Sequence, residues 1–151
     1  MLKVRPVQPS DAETICSHRR KMFEEAGRTK DELETMTGAF RLWLEPRLRD
    51  GRYFGFFAEE DGATLAGIGL MVIDWPPHPL HPSTSQRGYV LNVFVDSAVR
   101  GRGIATELMQ RAETEFRTRS IEYLILHATV QGRPLYEKLG WLATAEMAKK
   151  L

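Results

Sequence analysis

The run Val90-Leu91-Asn92-Val93-Phe94-Val95, then Asp96-Ser97-Ala98-Val99, then Arg100-Gly101-Arg102-Gly103-Ile104-Ala105 decides the fold. Its apolar, β-branched start suits a buried strand, and from Ile104 onward the apolar spacing turns helical. Between them, two glycines let the backbone approach a ligand, and two arginines flank the turn. A helix start favours negative charge, because its first amides are unpaired and its dipole end is positive. The stretch therefore predicts a strand, a phosphate-accepting turn and a helix.

Downstream, Ile104, Leu108, Ala112 and Phe116 keep one helical stripe, with Ala105 and Met109 widening it. The apolar run from Ile121 to Ala128 predicts a strand parallel to the first, since a helix joins the two. Gly132 to Leu139 reads as a short helix closed by Gly140, and the weak alternation from Trp141 to Leu151 predicts a last strand. Upstream, Leu2-Lys3-Val4-Arg5 before Pro6 predicts a short strand at a sheet edge. Ser10 with Glu13, and Thr29 with Glu32, are capping boxes that open two helices, and Pro46 should kink or end the second. Tyr53 to Ala58 and Thr64 to Asp74, joined at Asp61-Gly62, predict an antiparallel hairpin. Prolines between Trp75 and Ser85 predict a stiff loop.

At 151 residues the chain fits one domain, residues 1–151, and its net charge of +1 lacks the basic excess of a nucleic-acid binder. The lone Cys16 forms no internal disulfide and reads as a small core residue. His78 and His81 read as loop histidines, and no metal site is expected. Without an apolar leader or a long apolar run, a cytoplasmic, non-membrane protein is the expectation.

Three phosphate-binding designs compete for the turn. A P-loop fails because no Gly-Lys-Ser/Thr follows. A dinucleotide fingerprint fails at its third small position, which falls on Thr106. The third design rests on a resemblance. Arg100-x-x-Gly103-x-Ala105 after an apolar strand resembles the pyrophosphate motif of the GNAT family, the acyl-coenzyme A dependent N-acetyltransferases. Leu135-Tyr136-Glu137-Lys138-Leu139-Gly140-Trp141 resembles that family's Leu-Tyr-x-x-x-Gly-Phe segment, in the expected order and separation. The implied fold is α/β (α+β) and GNAT-like: a mixed central β-sheet flanked by helices, in the order β-α-α-β-β-β-α-β-α-β.

The resemblance also implies roles. Acetyl-CoA would be the acyl donor, with its pyrophosphate at Arg100, Gly101, Arg102, Gly103, Ile104, Ala105 and Thr106. Its pantetheine arm would pair with the backbone of Val93, Phe94 and Val95 where that strand leaves its neighbour. Tyr136 would act as general acid toward the leaving thiolate, and Thr129 stands where the family has an asparagine beside the cofactor. The acceptor would be a primary amine on a small molecule, peptide or protein, and a homodimer is compatible.

An alkylamine of pKa roughly 10.4 is protonated at pH 7, and neutralising it costs about 4.6 kcal/mol. Tyr89 occupies the position where several family members carry a carboxylate base. Glu24, or its neighbour Glu25, at the end of the first helix becomes the candidate. Phe23, Tyr89, Leu91 and the Trp75–Ser85 loop are expected to face the acceptor, with Arg19 and Arg20 on the same helix rim. The alternative reading is a non-catalytic coenzyme A-binding or sensor module.

Overall fold

Five apolar runs spread along the chain assemble into one sheet. The computed structural model describes residues 1–151, with strands β1 (Lys3–Pro6), β2 (Phe54–Glu60), β3 (Ala63–Asp74), β4 (Gln86–Val95) and β5 (Leu124–Leu126). Four α-helices flank them: α1 (Ala12–Glu25), α2 (Lys30–Asp50), α3 (Ile104–Thr118) and α4 (Arg133–Lys138). The sheet order is β1-β2-β3-β4-β5, antiparallel through β4 and parallel between β4 and β5. β1 is the edge strand that Pro6 predicts, since a proline gives the ladder no donor.

The structure corrects several expected boundaries. No strand forms between Trp141 and Leu151, so the element order ends at α4. Leu142, Met147 and Leu151 stand 86%, 95% and 108% exposed, and their weak alternation meets no apolar face that would reward pairing. β5 is shorter than the apolar run from Ile121 to Ala128, because only three residues find partners on β4. α1 opens through Asp11, not through a Ser10–Glu13 box: the Gln8 amide donates to Asp11 Oδ2 at 2.7 Å, and Arg5 bridges the same carboxylate. Arg5 holds the Asp11 carboxyl below the usual range, against its burial. α2 begins as expected, with Thr29 Oγ1 accepting from the Glu32 amide, but it continues through Pro46 to Asp50. The carbonyl freed four residues before Pro46 belongs to Leu42, which is 78% exposed, so water can satisfy it.

Two cores sit on opposite faces of the sheet. α3 lays Ile104, Leu108, Met109, Ala112 and Phe116 against Ala58, Ala66, Ile68, Leu70 and Val90. α1 and α2 lay Ile15, Cys16, Phe40, Leu44 and Leu48 against Tyr53 and Phe57. Phe57 and Ala58 are neighbours in β2 and enter different cores, as strand alternation requires. Cys16 is the buried core residue expected of it.

The loop from Trp75 to Ser85 is closed at its base, where the Trp75 amide donates to the Ser85 carbonyl at 2.9 Å. Within it His81 is fully buried, and its Nε2 accepts from Arg87 Nε at 3.0 Å. That bond leaves the ring proton on Nδ1, facing the Thr84 carbonyl at 3.1 Å. The Arg87 guanidinium lies over both Trp75 and Tyr123, 4.2 and 4.7 Å from the ring centroids. His81 is thus a structural residue with both ring nitrogens occupied.

A second buried histidine, His18 on α1, stacks on Phe94 at 4.3 Å and meets the edge of Phe57 at 5.5 Å. Burial first, and Lys21 second, push it down to about 4, while Asp96 pulls weakly upward. An exposed imidazole titrates near 6.5, so as pH falls the unfolded chain takes up this proton first. Stability from His18 is therefore complete above about pH 6.5 and drains between there and about pH 4. Urea unfolding at pH 7 and pH 4 should differ by up to about 3 kcal/mol from this group, and His18→Leu should flatten that interval.

Candidate active site

Asn92 interrupts a strand otherwise built of apolar residues. Its φ is +53°, in the left-handed region that asparagine tolerates better than branched residues do. The β3–β4 register slips there, from Gly67 opposite Phe94 to Gly69 opposite Leu91, so two residues of β4 face Ile68. This is a β-bulge, and it bends the strand. Two hydrogen bonds and burial hold it. Asn92 Nδ2 donates to Tyr53 Oη at 3.0 Å, Asn92 Oδ1 accepts from Arg19 Nη1 at 2.8 Å, and the side chain is buried. Burial pushes the Tyr53 hydroxyl far above the ordinary tyrosine range, against Asn92 and Arg19. Gly69 makes room for that hydroxyl, because a Cβ there would stand 2.1 Å from it.

The consequence is a divergence. β4 pairs with β5 only at Gly88, Tyr89 and Val90, opposite Leu124, Ile125 and Leu126. From Leu91 to Val95, β4 has no partner on that side, and a cleft of about 600 Å³ opens there. Val93 and Val95 pack their side chains toward the α3 core, while the Phe94 ring stacks on His18. Unpaired backbone along such an edge can bind an extended ligand as an added strand would.

The glycine turn forms one end of the cleft. Gly101 and Gly103 have φ of +84° and +78°, and no atom stands within 4 Å of where a Cβ would be. Gly103 caps α3, so the Ile104, Ala105 and Thr106 amides at the helix start have no helical acceptor. Gly101, Gly103, Ile104, Ala105 and Thr106 all line the cleft. Both arginines are already partnered. Arg100 Nη2 donates to both Glu25 oxygens at 2.7 and 2.8 Å and its Nε to the Val95 carbonyl at 3.0 Å, while Arg102 forks onto Glu60 at 3.0 Å. Exposed ion pairs of this kind contribute about 0–1 kcal/mol, so a phosphate can compete for either arginine.

At the other end stand Thr129, Tyr136 and His127. Thr129 Oγ1 accepts from the Gly132 amide at 3.0 Å, which leaves its hydroxyl proton free to donate into the cleft. Gly132 lies close beneath Tyr136, since a Cβ would come within 3.1 Å of its ring. The Tyr136 hydroxyl has no protein partner, and burial pushes its pKa above the ordinary value. His127 is bonded on both sides: Tyr89 Oη lies 2.8 Å from Nδ1, and Glu146 Oε2 meets Nε2.

Most of the residues predicted from sequence meet at this cleft: Leu91, Val93, Phe94, Val95, Arg100, Gly101, the turn from Gly103 to Thr106, Thr129 and Tyr136. Four do not line it. Arg102 turns away to Glu60. Glu24 is exposed, and the helical step puts Glu25, not Glu24, on the cleft side. Phe23 turns under the Arg19 guanidinium, 5.1 Å from its centroid. Tyr89 is not in the cleft lining, but its hydroxyl bonds His127, which is. Sequence reasoning did not single out Asn92, His127 or Glu146; an asparagine inside a β-branched run was the available signal for the first.

The profile described as the acetyltransferase (GNAT) family matches residues 13–141. This chain therefore belongs to the GNAT family of acetyltransferases and is an acyltransferase. It is similar to the solved GCN5-related N-acetyltransferase from Ralstonia eutropha JMP134, at 54% identity over 100% of this chain and 99% of that one, with a TM-score of 0.98. A predicted acetyltransferase from Clostridium acetobutylicum, solved with acetyl-CoA, is 26% identical over 100% and 96% of the two chains, with a TM-score of 0.91. Glucosamine-6-phosphate N-acetyltransferase from Arabidopsis thaliana shares the fold at 19% identity and a TM-score of 0.69, over 100% of this chain and 98% of that one. No protein with a curated function matches the chain.

The bulge can be tested directly. Asn92→Val forces a branched residue into the left-handed region and strands the Tyr53 hydroxyl, a cost of about 2–5 kcal/mol. Asn92→Gly keeps the backbone and loses only the bonds, about 1–3 kcal/mol. Denaturant unfolding should rank the valine variant clearly below the glycine one; equal midpoints would refute the backbone constraint.

Proposed function

We propose that this chain transfers an acetyl group from acetyl-CoA to a primary amine by direct attack, with Tyr136 as the general acid. The reading is carried by one observation: an unpartnered tyrosine hydroxyl stands in the cleft beside a strand edge left unpaired by the Asn92 bulge. The fit of acetyl-CoA rests on the open space over Gly101 and Gly103, the free amides from Ile104 to Thr106 and the edge at Val93, Phe94 and Val95 that no strand pairs, where Arg100 Nε holds the Val95 carbonyl. Arg100 and Arg102 can each exchange a carboxylate for a phosphate, and the Thr129 hydroxyl can donate to the bound chain. When bound, acetyl-CoA supplies an activated acetyl group as a thioester.

Each remaining demand of the chemistry falls to the protein. Burial raises the Tyr136 pKa, so its hydroxyl stands protonated in the cleft and available to the leaving sulfur as negative charge develops there. A backbone amide of the bulge near Val93 is the donor proposed for the developing oxyanion. Leu91, and the Arg19 guanidinium lying over Phe23, are the apolar and cationic groups proposed to face the acceptor. Residues 1–151 act as one domain in this reading, in the cytoplasm, with neither nucleic acid nor membrane as partner.

The test is a thiol-release screen with acetyl-CoA against a simple alkylamine, an amino acid, glucosamine 6-phosphate, an aminoglycoside and an alanine-starting peptide. Titration calorimetry should detect acetyl-CoA binding without any amine. Tyr136→Phe should slow transfer at least tenfold, within the roughly 10²–10⁴ span of acid–base groups, at nearly unchanged acetyl-CoA affinity. Unaltered turnover in that variant would remove Tyr136 from its role. Binding without turnover of any amine would instead favour a coenzyme A-binding module.

A further inference from the structure

Tyr89, His127 and Glu146 come from β4, the residue after β5 and the C-terminal segment, and they stand hydrogen-bonded in a row. The Glu146 carboxylate only accepts, so His127 Nε2 carries the ring proton toward it. Nδ1 is then the acceptor for the Tyr89 hydroxyl, 2.8 Å away. His127 also lines the cleft between Leu126 and Thr129, at the point where β4 loses its partner. A hydroxyl, an imidazole and an orienting carboxylate in that order can lift a proton from the hydroxyl and hold the resulting charge.

The charged neighbours leave this row distinct. Arg19 of α1 faces Tyr89 and lowers its pKa, while burial, the larger effect, raises it. Arg133 and Glu137 of α4 pair with each other at 2.8 Å. Tyr136 shares the cleft and has no acceptor, whereas Tyr89 has one in contact. The two tyrosines are therefore arranged for opposite tasks, one to give a proton and one to receive it.

We propose that Tyr89, His127 and Glu146 form the relay that neutralises the acceptor amine, a role that rests on the acetyl-transfer reading above. An N–H bond of the acceptor ammonium breaks and its proton goes to Tyr89 Oη. The proton of Tyr89 passes to His127 Nδ1, and the imidazolium faces Glu146. The freed nitrogen lone pair forms the new N–C bond as the C–S bond breaks; the thiolate takes the Tyr136 proton, and the nitrogen, cationic after attack, gives its second proton to water. His127 then releases its proton to water, and Tyr136 regains one from water, so the cycle closes without another reactant. Tyr89 is the catalytic residue of the three, and Glu146 is a positioning residue.

Two measurements on the full chain test this. In protein labelled with ¹⁵N-histidine, NMR should find His127 as the Nε2–H tautomer, assigned against His127→Gln. Tyr89→Phe should shift its Nδ1 resonance, and Glu146→Gln its Nε2 resonance. An Nδ1–H tautomer, or resonances that neither variant moves, overturns the relay. In the thiol-release screen, His127→Ala should slow the fastest amine by about 10²-fold, and free imidazole should restore about tenfold. Unchanged turnover in His127→Ala, or a loss that imidazole does not restore in a folded variant, overturns the relay while leaving acetyl transfer intact. No turnover of any panel amine by the unaltered protein overturns the transfer reading, and the relay with it.

Discussion

One side chain sets the geometry of the cleft. Asn92 takes a backbone conformation that strand residues avoid, and its amide group is held by Tyr53 on one side and Arg19 on the other. Without that pair of bonds the strand would have no reason to accept a bulge in its middle. With them, β4 bends away from β5 after only three paired residues. Gly69, across the sheet, has no side chain because the Tyr53 hydroxyl occupies that space. A polar core of asparagine, tyrosine and arginine thus lies under an otherwise apolar sheet, and the unpaired strand edge is its by-product.

The electrostatics of the cleft are balanced rather than simply positive. Arg100 and Arg102 are the obvious cations of the glycine turn, yet each holds a carboxylate, Glu25 from α1 and Glu60 from β2. These pairs are exposed, so the stabilisation lost on exchanging them is small. The amides at the start of α3 have no such partner, and they carry the more durable preference for an anion. Arg19 differs from both arginines. It has no carboxylate within reach, lies over Phe40 and Phe23, and buries its Nε without a hydrogen-bond partner. Burial accordingly lowers its pKa.

The strand, turn and helix from Val90 to Phe116 were legible in the sequence because strand and helix periods are local, and glycines mark the turn by necessity. The hairpin and the Thr29 cap were legible for the same reason. What was not legible depends on contacts between distant segments. The strand expected after Trp141 fails for want of a partner, which no local pattern reveals. Pro46 does not stop α2, because whether a lost hydrogen bond matters depends on which face meets water. Within the cleft, Tyr136 and the glycines were found by motif, but His127 and Glu146 are 19 residues apart and join only through the fold. Glu24 and Glu25 differ by one helical step, and sequence alone could not choose which one turns toward Arg100.

The Trp75–Ser85 loop has a consequence of its own. Arg87 lies against Trp75 and Tyr123 while bonding His81, which is sealed from solvent, so the loop is anchored to the start of β4. The prolines narrow the unfolded ensemble, and the stacked guanidinium fixes the folded one. A molecule that touches this face meets a surface already in shape. It does not have to supply the ordering entropy, roughly 1–2 kcal/mol per residue, that a floppy loop would demand on binding. Preorganisation of this kind favours discrimination by shape over accommodation.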